Sequence, residues 1–245
     1  MTDADPRDGG KVEYSVTRTD RELQEILDLQ TGNRPEHLTG EELRSQGFVT
    51  ARHDLEVLRR MHQEYPHVIA KVGKNKGGIG GGIGGEERRE EHVIGYALCM
   101  MKSAERLVPT LAGLFQNIEN GTTRYRGKVL TNQSIHRPDT NEDKNDNDDD
   151  DDDDEDRDCH SFKYFVMGQV CIHKNYRGKG IFDGLYRHMR RVMASNFHGV
   201  VTSISTRNQR SLRAHARVGF STIHEYSTGE GDDWKLVLWD WTTTP

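Results

Sequence analysis

The chain has 245 residues, with 34 lysines and arginines against 40 acids, a net charge of −6 and three cysteines. That length suits one generous domain carrying insertions. The longest apolar run, around Val93–Met101 and interrupted by Gly95, falls well short of the roughly 20 residues of a membrane span, so no membrane partner is expected. Cys99, Cys159 and Cys171 form no CxxC pair, and no apolar leader is visible, so a reducing, cytoplasmic address is expected.

The charge is uneven. Asp139–Asp158 holds fourteen acids against Lys144 and Arg157, so the rest of the chain is a body of about +6. A mildly basic body suits a polyanionic small ligand and is too weak a signal for nucleic acid.

Residues 1–10 read as a loose leader, and residues 11–245 as one domain. Two stretches inside it lack the composition to pack, a glycine-rich insertion over 73–91 and an Asp-rich one over 131–160. The acidic run lacks the glycine and glutamate spacing of an EF-hand loop, and a solvated loop is expected.

Between these, periodicity places the elements. "KVEYSVTRT" alternates as a strand, and Asp20 is expected to cap a helix with Leu23, Ile26 and Leu27 on one face. A second helix is predicted over about His53–Tyr65 and ends at Pro66. "HVIAKV" and "HVIGYALCMM" read as a hairpin whose turn is swollen by the glycine insertion, and "ERLVPTLAGLFQNI" as a third helix, with a start near Pro109 as the alternative. "FKYFVMGQVCIH" is a long strand, followed by a glycine turn and a helix with Ile181, Leu185, Met189 and Val192 inward. A strand "GVVTSIST", a helix "NQRSLRAHARVGF" and strands "STIHEY" and "WKLVLWDW" complete the chain.

The turn "NYRGKGIFDGL" carries the chemistry. A strand running through glycines into a helix presents unpaired N–H groups at the positive end of the helix dipole. Gly178 and Gly180 would let a phosphate approach closely, with Arg177 and Lys179 adding charge at the rim. On the turn alone, an ordinary loop with solvated cations is an equal reading. A rival fingerprint, Gly80-x-Gly82-x-x-Gly85, follows a strand but runs into "EERREE", which would repel a pyrophosphate.

The second half of the chain decides between the readings. "VCIH" before Asn175-x-x-Gly178-x-Gly180, followed one strand later by "NQRSLRAHARVGF", resembles the GNAT superfamily of N-acetyltransferases over about Phe162–Trp241. The resemblance implies an α/β (α+β) fold, a mixed and mostly antiparallel central sheet with splayed parallel strands flanked by helices. It implies acetyl-CoA as co-substrate and an amine acceptor, small molecule or protein amine. The main chain of Val170, Cys171 and Ile172 would bind pantetheine, and the turn formed by Arg177, Gly178, Lys179, Gly180, Ile181 and Phe182 would hold the pyrophosphate. Asn208 would meet the pantetheine or the departing sulfur, with Ser211 one helical turn further on.

Two positions depart from the family's pattern. Asn175 stands where Gln or Arg is usual, so it is expected to bind the cofactor through its main chain rather than its side chain. His215 stands where many members have a tyrosine that protonates the leaving thiolate, so His215 and Asn208 become the candidate catalytic side chains. Imidazole, with a reference pKa of about 6.5, suits that role if a neighbour keeps it protonated; the competing reading is a packed or solvated histidine. The oxyanion would fall to the N–H of Cys171 or Ile172. No carboxylate stands out as base. Gln169 cannot take a proton, Glu225 and Tyr226 face the acceptor only as candidates, and a water chain serves equally. Cys171 lacks a His-Asp partner pattern and reads as structural, and His160 and His173 have no metal-ligand spacing, so no metal is expected. The alternative function is a GNAT-like module that binds acyl-CoA without turnover.

Overall fold

A computed structural model describes residues 11–42, 48–74, 90–119, 123–131, 161–228 and 233–243. The leader, nearly all of the two low-complexity insertions, Cys159 and His160 lie outside these. Alternating residues form β1 (Val12–Val16), and the chain turns into α1 (Asp20–Thr31). The cap is Thr19, not Asp20: its hydroxyl accepts from the Glu22 N–H while the Glu22 carboxylate reaches back, a closed capping box. Asp20 instead pairs with Arg59, 2.7 Å away, on α2 (Leu55–Glu64).

The strands β2 (Val68–Lys74) and β3 (Glu90–Met100) pair antiparallel, as the hairpin reading expects. Of the expected third helix, only the part beyond Pro109 forms, in line with the later start. Two 3-10 turns, Lys102–Leu107 and Pro109–Leu111, precede a short α3 (Ala112–Glu119). Pro109 denies the α-helix a backbone donor there and restricts Val108 before it. A small hairpin, β4 (Arg124–Tyr125) and β5 (Lys128–Thr131), follows.

Then come β6 (Ser161–Ile172), α4 (Ile181–Met193), β7 (Gly199–Ser205), α5 (Gln209–Val218), β8 (Ser221–Ser227) and β9 (Asp233–Asp240). The sheet runs β1-β2-β3-β6-β7-β9-β8, with β5 beside the start of β6. Its pairings are antiparallel except β5 with β6 and β6 with β7.

Each face of the sheet is covered. One face packs on α1, α2 and α3 through Leu23, Ile26, Leu58, Met61 and Phe115. The other packs on α4 through Ile181, Leu185, Met189 and Met193, each burial contributing about 1.5–3 kcal/mol. The molecule is therefore a two-sided sandwich in which β6 is central, and any irregularity in β6 opens the middle of the sheet.

Candidate functional site

That irregularity sits at Gly168. Cys99 opposes Met167 while Leu98 opposes Gln169, so Gly168 has no partner on β3. A Cβ there would lie 2.5 Å from Met100 Sδ, so a larger residue would require the buried Met100 side chain to shift. The extra residue shifts the strand's parity: Met167, Val170 and Ile172 face the α4 side, while Gln169 and Cys171 face α1. It also marks where the neighbours part. β6 and β7 pair only over Tyr164–Val166 and Gly199–Val201, although both strands continue.

The main chain beyond the bulge is divided by the pleat. His173 N–H donates to Ile94 O at 2.8 Å, and Cys171 opposes Tyr96, so the polar groups of residues 171 and 173 face β3. Those of Val170 and Ile172 face the open edge, where Ile172 O accepts from Arg177 Nε at 3.1 Å. Of the three residues expected to offer main-chain groups to a ligand, Cys171 is therefore corrected: its N–H belongs to the sheet.

The gap opens into a cleft of about 500 Å³ lined by the end of β6, the glycine turn, the start of α4 and one side of α5. Gly178 and Gly180 have φ of +76° and +75°, the left-handed region that side chains resist. Gly180 is the N-cap of α4, and no side chain caps this helix, so its first N–H groups are offered to whatever enters. Val170, Cys171, Ile172, Arg177, Gly178, Gly180, Ile181, Phe182, Asn208 and Ser211 all line the cleft. Asn175 and Lys179 do not. Asn175 sits in a 3-10 turn capped by His173, and Lys179 lies over the Tyr176 ring, 5.3 Å from its centre.

Arg177 does not stand at the rim as a solvated cation. Its guanidinium is half-buried, bonded to Ile172 O and to Asn33 Oδ1. Asn33 in turn donates to Leu29 O at 2.7 Å and accepts Val49 N–H at 3.1 Å. Arg177 thus ties the glycine turn to the end of α1 and to the segment that brings Phe48 and Val49 to the cleft wall.

His215 is placed away from the cleft, only 1% exposed, among Phe182, Tyr186 and Phe220. Its Nδ1 lies 2.8 Å from Ser211 O, which only accepts, so Nδ1 carries the hydrogen. Nε2 then accepts from the Tyr186 hydroxyl at 2.7 Å. Burial lowers its pKa to about 4, with the Ser211 carbonyl opposing weakly. A neutral imidazole with both nitrogens occupied has no proton to give a thiolate, so the geometry does not provide the expected acid. Asn208 caps α5, its Oδ1 accepting Ser211 N–H at 3.1 Å.

The other candidates are bound elsewhere. Gln169 is buried, accepting from Tyr96 Oη at 2.6 Å and Gln30 Nε2 at 2.9 Å and donating to Ala51 O. Gln30 also donates to His53 Nδ1 at 2.8 Å, which makes Nε2 the protonated nitrogen of that buried ring. Glu225 pairs with Lys235 at 2.8 Å, and Tyr226 bonds Ser203 Oγ at 2.8 Å. Burial pushes the Cys171 thiol up to about 12, so it is protonated at neutral pH and is no nucleophile.

Sequence reasoning missed Asn33, Asp183 and the arginines of α5. Arg210, Arg213 and Arg217 line the cleft at helical spacing, and Asp183 is the one acid among the lining residues. That spacing is visible in "QRSLRAHARV" and was the available signal.

No protein-family model matches the sequence, and no curated protein matches it. Solved structures do. The NatC complex bound to Gag peptide and CoA superposes with a TM-score of 0.50 at 12% identity, over 94% of this chain and 98% of that one. The fold is that of the GNAT acetyltransferases. Two further structures resemble it at TM-scores of 0.49 and 0.47: Arabidopsis thaliana NAA60 in complex with acetyl-CoA (11% identity, 94% and 99% coverage) and the Escherichia coli ribosomal-protein-S18-alanine N-acetyltransferase (8%, 96% and 97%). The end of β6, past its last pair with β7, and the glycine turn of α4 line a single cleft, and among the described residues no helix is long and apolar enough to cross a membrane.

Proposed function

We propose that residues 11–245 act as one acetyl-CoA-dependent N-acyltransferase, moving the acyl group of a CoA thioester directly to an amine acceptor. One observation carries this reading: an unpaired strand edge and an uncapped helix start with two left-handed glycines share one cleft. An extended amide chain adds to such an edge, and a diphosphate suits such a helix start. The NatC structure of the same fold was captured with CoA and a peptide, which supports the pairing of these two ligands.

In this reading Val170 and Ile172 hydrogen-bond the pantetheine amides through their main chain, and the N–H groups from Gly178 to Phe182 hold the pyrophosphate. A neutral amine attacks the thioester carbon, forming the C–N bond while the carbonyl oxygen gains negative charge. The edge-facing N–H of Val170, nearer the bulge and farther from the glycine turn, donates to that oxygen. The C–S bond then breaks. Asn208 Nδ2 donates to the departing sulfur, water takes the proton of the new ammonium, and water returns one to the thiolate.

A second reading, an acyl-CoA-binding module without turnover, is favoured by the occupied state of His215. Incubating the protein with acetyl-CoA and a pool of amines, while following free thiol, separates the two. Amine-dependent thiol release establishes the transferase. Saturable CoA binding with no release above background establishes the module.

A further inference from the structure

The α5 helix carries three arginines and no acid. Arg210, Arg213 and Arg217 follow at intervals of three and four, so they lie along one stripe, and all three line the cleft. Like charges at these spacings cost a helix a few tenths of a kcal/mol per pair. Arg217 has a structural reason, since it sits in the last turn and pairs with Asp183, but neither reason extends to Arg213.

The four arginines of the cleft are not equivalent. Arg177 is held by Ile172 O and Asn33. Arg217 is held by Asp183, with Nη2 to Oδ1 at 2.8 Å. Arg210 has partners of its own. Arg213 is exposed to the cleft and has no hydrogen bond or ion pair among the described residues.

This inference rests on the nucleotide reading of the cleft. Coenzyme A carries a diphosphate and, separately, a 3′-phosphomonoester that is close to dianionic at neutral pH. The start of α4 provides N–H groups for the diphosphate, which leaves the monoester in need of a cation of its own. We propose that Arg213 binds the 3′-phosphate of the nucleotide and makes the protein discriminate coenzyme A from its 3′-dephospho form. A guanidinium suits a terminal phosphate because it offers two parallel donors. Arg210 and Arg217, one turn away on either side, raise the local potential without needing to touch the group.

The test measures binding of coenzyme A and of 3′-dephospho-coenzyme A by calorimetry, for the wild type, Arg213→Ala and Arg213→Lys. The wild type should bind coenzyme A about tenfold more tightly than the dephospho form, the scale of one charge-assisted hydrogen bond. Arg213→Ala should bring coenzyme A down to the dephospho level and leave the dephospho affinity where it was, with Arg213→Lys between. Arg213 is exposed, so the melting temperature should not move. Equal losses for both nucleotides would assign Arg213 to the diphosphate and overturn the proposal, as would no loss for either. If the wild type binds neither nucleotide, the acyl-CoA reading itself falls, and this inference with it.

Discussion

The Tyr186 hydroxyl donates to His215 Nε2 across 2.7 Å, joining the middle of α4 to the last turn of α5 inside the core. Both rings are essentially sealed from water. This bond fixes the imidazole in its neutral form and makes it a structural pin between the two helices that flank the cleft. Tyr186→Phe strands the imidazole nitrogen in an apolar setting and should lower unfolding free energy by about 1–2 kcal/mol. Denaturant titration would measure it. Acetyl-CoA affinity should stay within about twofold of wild type, since neither ring lines the cleft.

Three buried histidines set an acid limit. Burial lowers His53 and His215 to about 4 and His67 to about 3. Each binds a proton more readily in the unfolded chain, near its ordinary value of about 6.5. Stability is therefore full above that value and declines as pH falls toward the folded values. At pH 5 each histidine removes about 2 kcal/mol, order of magnitude, relative to pH 7. Urea midpoints measured from pH 7 to pH 4 should fall steadily, and His215→Gln should flatten that slope by about one proton. A slope unchanged by the substitution would mean that His215 does not titrate as its burial requires.

Gly180 combines a left-handed backbone with the N-cap of α4. Its Cβ would meet no atom within 4 Å, so an alanine there is resisted by backbone conformation alone. Gly180→Ala should cost about 1 kcal/mol of stability. It should weaken acetyl-CoA by at least about tenfold, because the methyl group and the altered turn displace the N–H groups from the diphosphate. Paired melting and binding measurements distinguish this from a purely structural effect, which would spare affinity.

Asp183 presents a carboxylate in the first turn of the helix that is to hold a diphosphate, and Arg217 covers it. Arg217→Ala should weaken acetyl-CoA by about threefold to tenfold through the uncovered charge. Asp183→Asn in that background should return affinity to within about twofold of wild type. Failure of the second change to restore binding would show that Arg217 acts by direct contact instead.

Much of this was legible in the sequence because it is local. The alternation of "FKYFVMGQVCIH", the glycines at 178 and 180, and the inward stripe Ile181, Leu185 and Met189 all follow from periods of 2 and 3.6. The choice of cap at α1 was local too. Thr19 and Asp20 are both good caps, and Glu22 at the third helical position is the feature that favours Thr19. The two-residue strand β4 is too short for a period to show. What stayed hidden depends on distant partners. Arg177 is drawn inward by Asn33, and His215 is enclosed by Tyr186 on another helix. The orientation of Cys171 is fixed by the bulge at Gly168, which shifts every later residue by one and leaves only a glycine as its mark.

Isothermal titration of the protein with acetyl-CoA bears most directly on the central claim, that the splayed edge of β6 and the start of α4 form one nucleotide cleft. The account predicts saturable one-to-one binding in the wild type and a sharp loss of affinity in Gly180→Ala. Heat-silent titration of folded protein, or equal affinity in both proteins, would contradict it.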